Sequence, residues 1–241
     1  MIFNRIQIHY LVRLIIFWLL YFALFRILFI IYHHSKIING QHSETGLSFL
    51  YGLRLDLSTA SIAIVIPYIL WAFQQYHKSR LIHLINLGYN CSLIIFVSTL
   101  SIINIKIYGE WDTLLGYKAL KYLISSDEIH TFLSLWSVML LLFVIFIFAF
   151  LGIKRYRKYL TNFSYPIENK TVRFSLILII PFLILIGFRG GLQSSPINET
   201  NSEYSDLPIN NILATNNIWY FAHTFWDEKQ DKNIKFPQKN N

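Results

Sequence analysis

This sequence has a single cysteine, Cys91, and it lies inside an apolar run. No disulfide can close within the chain, and no cysteine cluster can hold a metal. Charge is scarce as well. Asp, Glu, Lys and Arg make up 14% of the residues, against roughly 25% in an average soluble domain. Acidic residues are the scarcer sign, 13 against 21 Lys and Arg, which leaves a net charge of +8. In a chain this apolar, a basic surplus points to a cytoplasmic membrane face, and no nucleic-acid partner is expected. There is no Gly-x-Ser-x-Gly elbow, no P-loop and no His-x-x-x-His spacing. His33, His34, His42, His130 and His223 are scattered, and Ser194 and Ser195 have no base placed beside them. No catalytic residue, metal ligand or cofactor site is expected in this chain. The first apolar run is too long for a cleavable signal peptide and has no small-residue cleavage site after it.

Apolar residues are abundant instead. They make up 54% of the chain and fall in five blocks, at residues 10–32, 57–73, 81–107, 132–153 and 172–188. The second block can start as early as Leu47. About 20 apolar residues cross the hydrocarbon core as a helix, so the blocks predict five transmembrane helices. Pro67 and Pro181 fall inside two of them, where membrane helices tolerate proline. The expected fold is an all-α integral membrane protein. Residues 1–188 form its five-span domain, and residues 189–241 form a juxtamembrane segment and linker outside the membrane.

Lysine and arginine orient the chain. Arg5 and Arg13, then Lys78 and Arg80, then Lys154, Arg155, Arg157, Lys158, Lys170 and Arg173 fall in alternate connections. The positive-inside rule places these in the cytoplasm, with the N-terminus inside and the C-terminus outside. Of the acidic residues, only Glu168 falls on the predicted inner side. On the outer side, Trp111, Leu114, Leu115 and Tyr122 either share one face of an interfacial helix or belong to an irregular loop. Residues 206–226 read as one helix, with Asp206 as N-cap, Pro208 in the first turn, and Ile209, Ile212, Leu213 and Tyr220 on one face. Residues 227–241 read as a linker or frayed end.

Ionisable groups at membrane depth are functional candidates by default. Arg26 lies six residues before the outer end of the first block, about 9 Å deep at 1.5 Å per residue. Either it snorkels outward or it pairs with Asp56, which opens the second block at similar depth. Arg54 and Asp56 are two residues apart on a helix and point away from each other, so each needs another partner. Arg54, Asp56, Arg189 and Gln193 are candidates for touching a lipid headgroup or docking a domain, and a structural role between helices is the competing reading. Gly187, Gly190, Gly191 and Pro196 follow the last apolar block as a backbone hinge, or more simply as a helix C-cap and turn.

Several of these motifs resemble one family. They are Gly52-Leu53-Arg54-Leu55-Asp56-Leu57, Tyr108-Gly109-Glu110-Trp111, Arg189-Gly190-Gly191-Leu192-Gln193 with Pro196-Ile197-Asn198, and the 210–217 stretch. The chain is similar to the membrane domain of the lipoteichoic acid synthase family, most of all its Bacteroidetes-type members. These are phosphoglycerol and phosphoethanolamine transferases with a sulfatase-like catalytic domain. The resemblance implies a bacterial inner-membrane protein that anchors such a domain and positions a membrane phospholipid for it. The nucleophile and divalent metal belong to that domain, which is expected to be missing from this chain or separately encoded. A small scaffold or transport protein is the alternative. The lack of an internal repeat speaks against transport.

Overall fold

The computed structural model describes residues 5–37, 42–77, 79–125, 135–160, 167–193 and 195–233. The start of the fourth apolar block, Lys78, Asp127, Glu128, His130, Asn162, Ser194 and residues 234–241 lie outside the described residues. Among the described residues every regular element is a helix. Five helical stretches are long and apolar enough to cross a membrane: Tyr10–Tyr32, Glu44–Gln74, Arg80–Trp111, Leu135–Leu160 and Lys170–Arg189. They mark a multi-pass membrane protein.

Within helix α1, Arg5–Tyr32, the stretch from Leu14 to Phe25 is apolar on all sides, as a helix between protein and lipid must be. Leu11, Leu14, Trp18, Phe22, Phe25 and Phe29 recur at three- and four-residue spacing and are buried, while Ile16, Leu20, Ile27 and Ile31 face outward. Helix α2, His42–Tyr51, leads into α3, Leu53–Gln74, across Gly52 alone. Gly52 keeps right-handed helical dihedrals, with φ −74° and ψ −16°. The hydrogen-bond ladder also continues, since its amide donates to the Ser48 carbonyl and its carbonyl accepts from the Asp56 amide. The second span therefore starts well before residue 57. Its polar opening, including Glu44, masks the helix in a hydropathy reading.

Helix α4, Arg80–Trp111, has 32 residues, about 48 Å at 1.5 Å per residue. It outruns the expected 81–107 block. Ser79 caps its start, accepting from the Leu81 amide, and Asp112 ends it in the left-handed region at φ 52°. Helix α5 is Tyr117–Ser125, α6 Leu135–Leu160 and α7 Lys170–Arg189. Asn169 caps α7, accepting from the amides of Thr171 and Val172.

The bundle is centred on α1, α3 and α4, with α6 laid on α4 and α7 on α3. Small residues Ala149 and Gly152 are buried on α6. There the Tyr21 hydroxyl reaches both Ser98 Oγ at 2.7 Å and the Phe148 carbonyl at 3.0 Å, tying three helices together. This is how membrane helices associate without a hydrophobic drive between them. Nearer the basic end of the bundle, Asn86 donates to the hydroxyls of Tyr10 and Tyr156.

The tail departs from the sequence reading in three ways. It forms two helices, α8 at Pro208–Ala214 and α9 at Asn217–Asn233, with a break at Thr215 and Asn216. The N-cap of α8 is Leu207, and Asp206 makes no cap. Asn216 causes the break: its side-chain oxygen accepts from the amides of Ile218 and Trp219 and so starts a new helix. Helix α9 continues through Asn233, so much of the expected linker is helical.

The loop after α4 also differs from the one-face arrangement. Trp111 ends α4 and stands 5.7 Å from the Tyr122 ring of α5. Leu114 and Leu115 lie between the helices and are buried, whereas Tyr122 is exposed. Asn104 fixes the loop by accepting from the Leu115 amide at 2.7 Å.

Candidate functional site

Arg26 and Asp56 form a bidentate ion pair, Nη1 to Oδ2 at 2.9 Å and Nη2 to Oδ1 at 3.1 Å. Both side chains are about 95% buried, with relative exposures of 5% and 4%. The remaining valences go to the tail. Arg26 Nε donates to the Leu213 carbonyl at 2.6 Å, and Asn216 Nδ2 donates to Asp56 Oδ1 at 2.8 Å. The pair thus joins α1 to α3 and clamps the α8–α9 break over the bundle. Gly52 permits the approach. A Cβ there would stand 2.5 Å from both the Ala214 carbonyl oxygen and Arg26 Nη2.

Arg54 serves the segment after α7. Its Nε donates to the Gly190 carbonyl at 3.2 Å, and its Nη2 donates to Gln193 Oε1. Ser58 Oγ donates to the Phe188 carbonyl at 2.6 Å. Gly190 has φ 79° and caps α7, its amide donating to the carbonyls of Ile186 and Gly187. A Cβ at Gly190 would meet Ile197 at 2.7 Å. Gly191 also takes positive φ, and Gly187 lies against the Ser61 side chain of α3. Pro196 follows at the turn back over the bundle, and the Ile197 amide donates to the Arg189 carbonyl at 3.1 Å. The glycines therefore build a sharp, hydrogen-bonded turn.

Beneath this turn lies a groove of about 1140 Å³, above the roughly 300–1,000 Å³ of most ligand clefts. Trp18 and Phe22 of α1 form its floor, and Thr59, Ile62 and Ala63 of α3 its back. Leu93, Phe96 and Val97 of α4 face Leu185, Ile186 and Phe188 of α7 across it. Its roof is the turn and one face of α9, with Ile218, Trp219, Ala222 and Trp226. The polar groups Arg189, Gln193 and His223 lie at this roof end, and Arg189 is exposed. Tyr89, whose hydroxyl donates to the Ala63 carbonyl at 3.2 Å, lines the deep end. The α4 wall of the groove runs from Tyr89 to Val97, about 12 Å at 1.5 Å per residue, a little under half of a hydrocarbon core about 30 Å thick.

The four residues first proposed for headgroup or domain docking separate into two pairs. Arg189 and Gln193 line the groove. Arg54 and Asp56 do not, and both act on the tail instead. Gln193 Nε2 is buried without an acceptor among the described residues, and so is Trp18 Nε1. Gly52 and Asn216 stand in the sequence only as members of the family-like motifs, and neither they nor Ser58 carried a structural role there. Asn216-Asn217 ahead of an apolar-aromatic run does carry an N-cap signal. A second pocket of about 650 Å³ lies between α5 and the other face of α9, lined by Trp111, Tyr117, Tyr122, Tyr220, Thr224 and Asp227 among others. Burial raises the Tyr220 phenol. The Tyr204 phenol, which donates to the Glu44 carbonyl at 2.8 Å, is pushed up to about 12, first by burial and then by the Glu44 carboxylate. Among the described residues no group of three His, Cys, Asp or Glu is placed to hold a metal ion.

No family model, no curated protein and no solved structure matches the chain.

Proposed function

We propose that this chain holds a membrane phospholipid in the groove between α4 and α7. It would thereby act as the anchor and lipid-positioning domain of a phosphoglycerol or phosphoethanolamine transferase of the lipoteichoic acid synthase type. The groove carries this reading. Its body is apolar, its α4 wall is a little shorter than one leaflet is thick, and Arg189, Gln193 and His223 lie at the end where the tail folds over. An acyl chain would lie along the apolar lining, Phe96 and Ile186 included, and Arg189 would meet the phosphate through its fork of donors. The sequence resemblance supplies the reaction class. Transfer itself belongs to a sulfatase-like domain, linked or separate, that works above the tail.

In this reading the tail end of the bundle lies outside a bacterial inner membrane and the N-terminus inside. The charge pattern supports it. Arg80, Lys154, Arg155, Arg157, Lys158, Lys170 and Arg173 gather at the opposite end of the bundle, where α4 and α7 start and α6 stops.

The test is lipid retention. The full chain is purified in mild detergent and its bound phospholipid is counted by native mass spectrometry. Ala222→Trp, on the groove face of α9, should reduce retained lipid severalfold while leaving the thermal transition unchanged. Coexpression with a matching sulfatase-like domain should then release diacylglycerol from phospholipid, and Arg189→Ala should lower that release. A wild-type chain that retains no lipid, or an Ala222→Trp chain that retains as much as wild type, would defeat the proposal.

A further inference from the structure

His223 of α9 lines the roof end of the groove together with Arg189 and Gln193. Much of its ring is already engaged. One face stacks on Trp219, with centroids 4.4 Å apart and planes at 17°. Its Nδ1 stands 2.9 Å from Asp227 Oδ2, one turn further along α9. A carboxylate only accepts, so Asp227 holds the ring proton on Nδ1 and leaves the lone pair of the neutral ring on Nε2. What His223 can offer the groove is therefore its second face and the edge that carries Nε2. The side chain is 38% exposed. Nε2 has no partner among the described residues and is not enclosed by them, so an arriving group can reach it.

We infer that His223 reads the headgroup of a phospholipid seated in the groove, its Nε2 accepting a hydrogen bond from an ammonium N–H such as ethanolamine carries. The inference rests on the proposed lipid-holding role and adds which headgroup is kept and by which residue. Two kinds of headgroup donor suit a lone pair, a hydroxyl and an ammonium, and the surrounding charge decides between them. Glu199 lies within electrostatic reach of Glu203, His223 and Asp227, and its carboxyl is lifted above the usual range first by burial and then by the Glu203 carboxylate. Negative charge thus outweighs positive charge around the imidazole, and it favours a cationic donor over a neutral one. Arg189 is the one arginine of the lining, and the phosphate takes it. A choline headgroup carries the same charge as ethanolamine but has no N–H, so it leaves Nε2 without a donor.

The experiment is a competition on the full chain among phosphatidylethanolamine, its N-methyl and N,N-dimethyl forms, phosphatidylcholine and phosphatidylglycerol, all with the same acyl chains. Binding is read by native mass spectrometry at about pH 8.5, where an imidazole ordinarily holds one proton. The wild-type chain should bind the three lipids that keep an N–H alike. Binding should then drop roughly three- to tenfold at the last methyl, the range of one net hydrogen bond. Phosphatidylglycerol should also bind more weakly than phosphatidylethanolamine. His223→Phe keeps a flat ring for Trp219 and has no acceptor, so it should remove the step at the last methyl. Asp227→Asn keeps an acceptor for Nδ1 and removes a negative charge. It should narrow the preference over phosphatidylglycerol, and it serves if the phenylalanine variant does not fold. A smooth decline with each methyl assigns the selectivity to headgroup size and overturns the inference, while the lipid-holding role stands. So does equal or tighter binding of phosphatidylglycerol, a step that survives His223→Phe, or a preference unchanged in Asp227→Asn. An equal loss of every lipid in His223→Phe assigns the ring to the phosphate, which also overturns it. Binding of no lipid by the wild-type chain overturns the proposed function along with it.

Discussion

Replacing Asp56 with Asn tests the centre of this architecture. The Asp56 carboxylate accepts three hydrogen bonds, two from Arg26 and one from Asn216. An asparagine has one acceptor oxygen and one donor nitrogen. If its nitrogen takes the Oδ2 position, it opposes Arg26 Nη1. If it takes the Oδ1 position, it opposes both Arg26 Nη2 and Asn216 Nδ2. Either way a buried guanidinium loses its counter-charge and keeps the Leu213 carbonyl at 2.6 Å and the Phe49 ring at 5.4 Å. Breaking one partner out of a buried pair costs about 3–5 kcal/mol. At 1.4 kcal/mol per factor of ten, that is roughly a hundredfold to several thousandfold in the equilibrium affected. Asn216→Ala is the control. It leaves the ion pair intact and removes the α9 cap and one bond to Asp56, at about 1–2 kcal/mol. Hydrogen exchange in lipid nanodiscs separates the two. Asp56→Asn should lower the thermal transition and raise exchange in α1, α3 and α9, whereas Asn216→Ala should raise exchange mainly over 217–233. An Asp56→Asn chain with wild-type transition and wild-type α9 protection would refute the reasoning.

Gly190→Ala forces a side chain into the left-handed region at φ 79° and against Ile197. It should cost about 2 kcal/mol or more, seen as faster exchange of the Ile197 amide. Tyr204 supplies a pH dependence. Its folded-state pKa of about 12 lies above the ordinary value of 10, so its contribution is whole below pH 10 and is lost as pH rises toward 12. Tail protection should fall over that window. The fall should shrink in Tyr204→Phe, which has no phenol to ionise, and an identical fall in that variant would rule Tyr204 out as the cause.

The spans were legible in the sequence because twenty-residue apolar blocks need no knowledge of tertiary contacts. Their ends were less legible. Helix α2 and the last turn of α4 are polar enough to look like loops, yet both are held by contacts far away in sequence. Glu44 accepts from the Ser205 hydroxyl at 2.7 Å, and the Gly109 carbonyl accepts from Lys36 Nζ at 3.3 Å. The tail shows the same limit. Local propensity allows one helix over 206–226, and the break at Asn216 exists because its amide serves both Asp56 and the start of α9. Arg26 and Asp56 were identifiable as costly groups at matching depth. Arg54 was not separable from Arg189 by sequence, because both are arginines beside glycines near a span end. Only the fold shows one turned to the turn and the other to the groove rim.

The position of α9 gives the buried pair its purpose. One face of this helix roofs the groove, and the other walls the aromatic pocket against α5. Its start is set by Asn216, and Asn216 is set by Asp56. Buried pairs often contribute little net stability, and apolar replacements of similar size can match them. Arg26→Met combined with Asp56→Leu should therefore keep the bundle's thermal transition within about 1 kcal/mol of wild type, since no charge is stranded. The same change removes the bonds to Leu213 and Asn216, so α9 should lose protection although the spans stay protected. Retained lipid should fall with it, because the groove would lose its roof. If α9 remained as protected as in wild type, the helix would be held by its apolar face alone. The pair would then be a joint between α1 and α3 with no bearing on the groove.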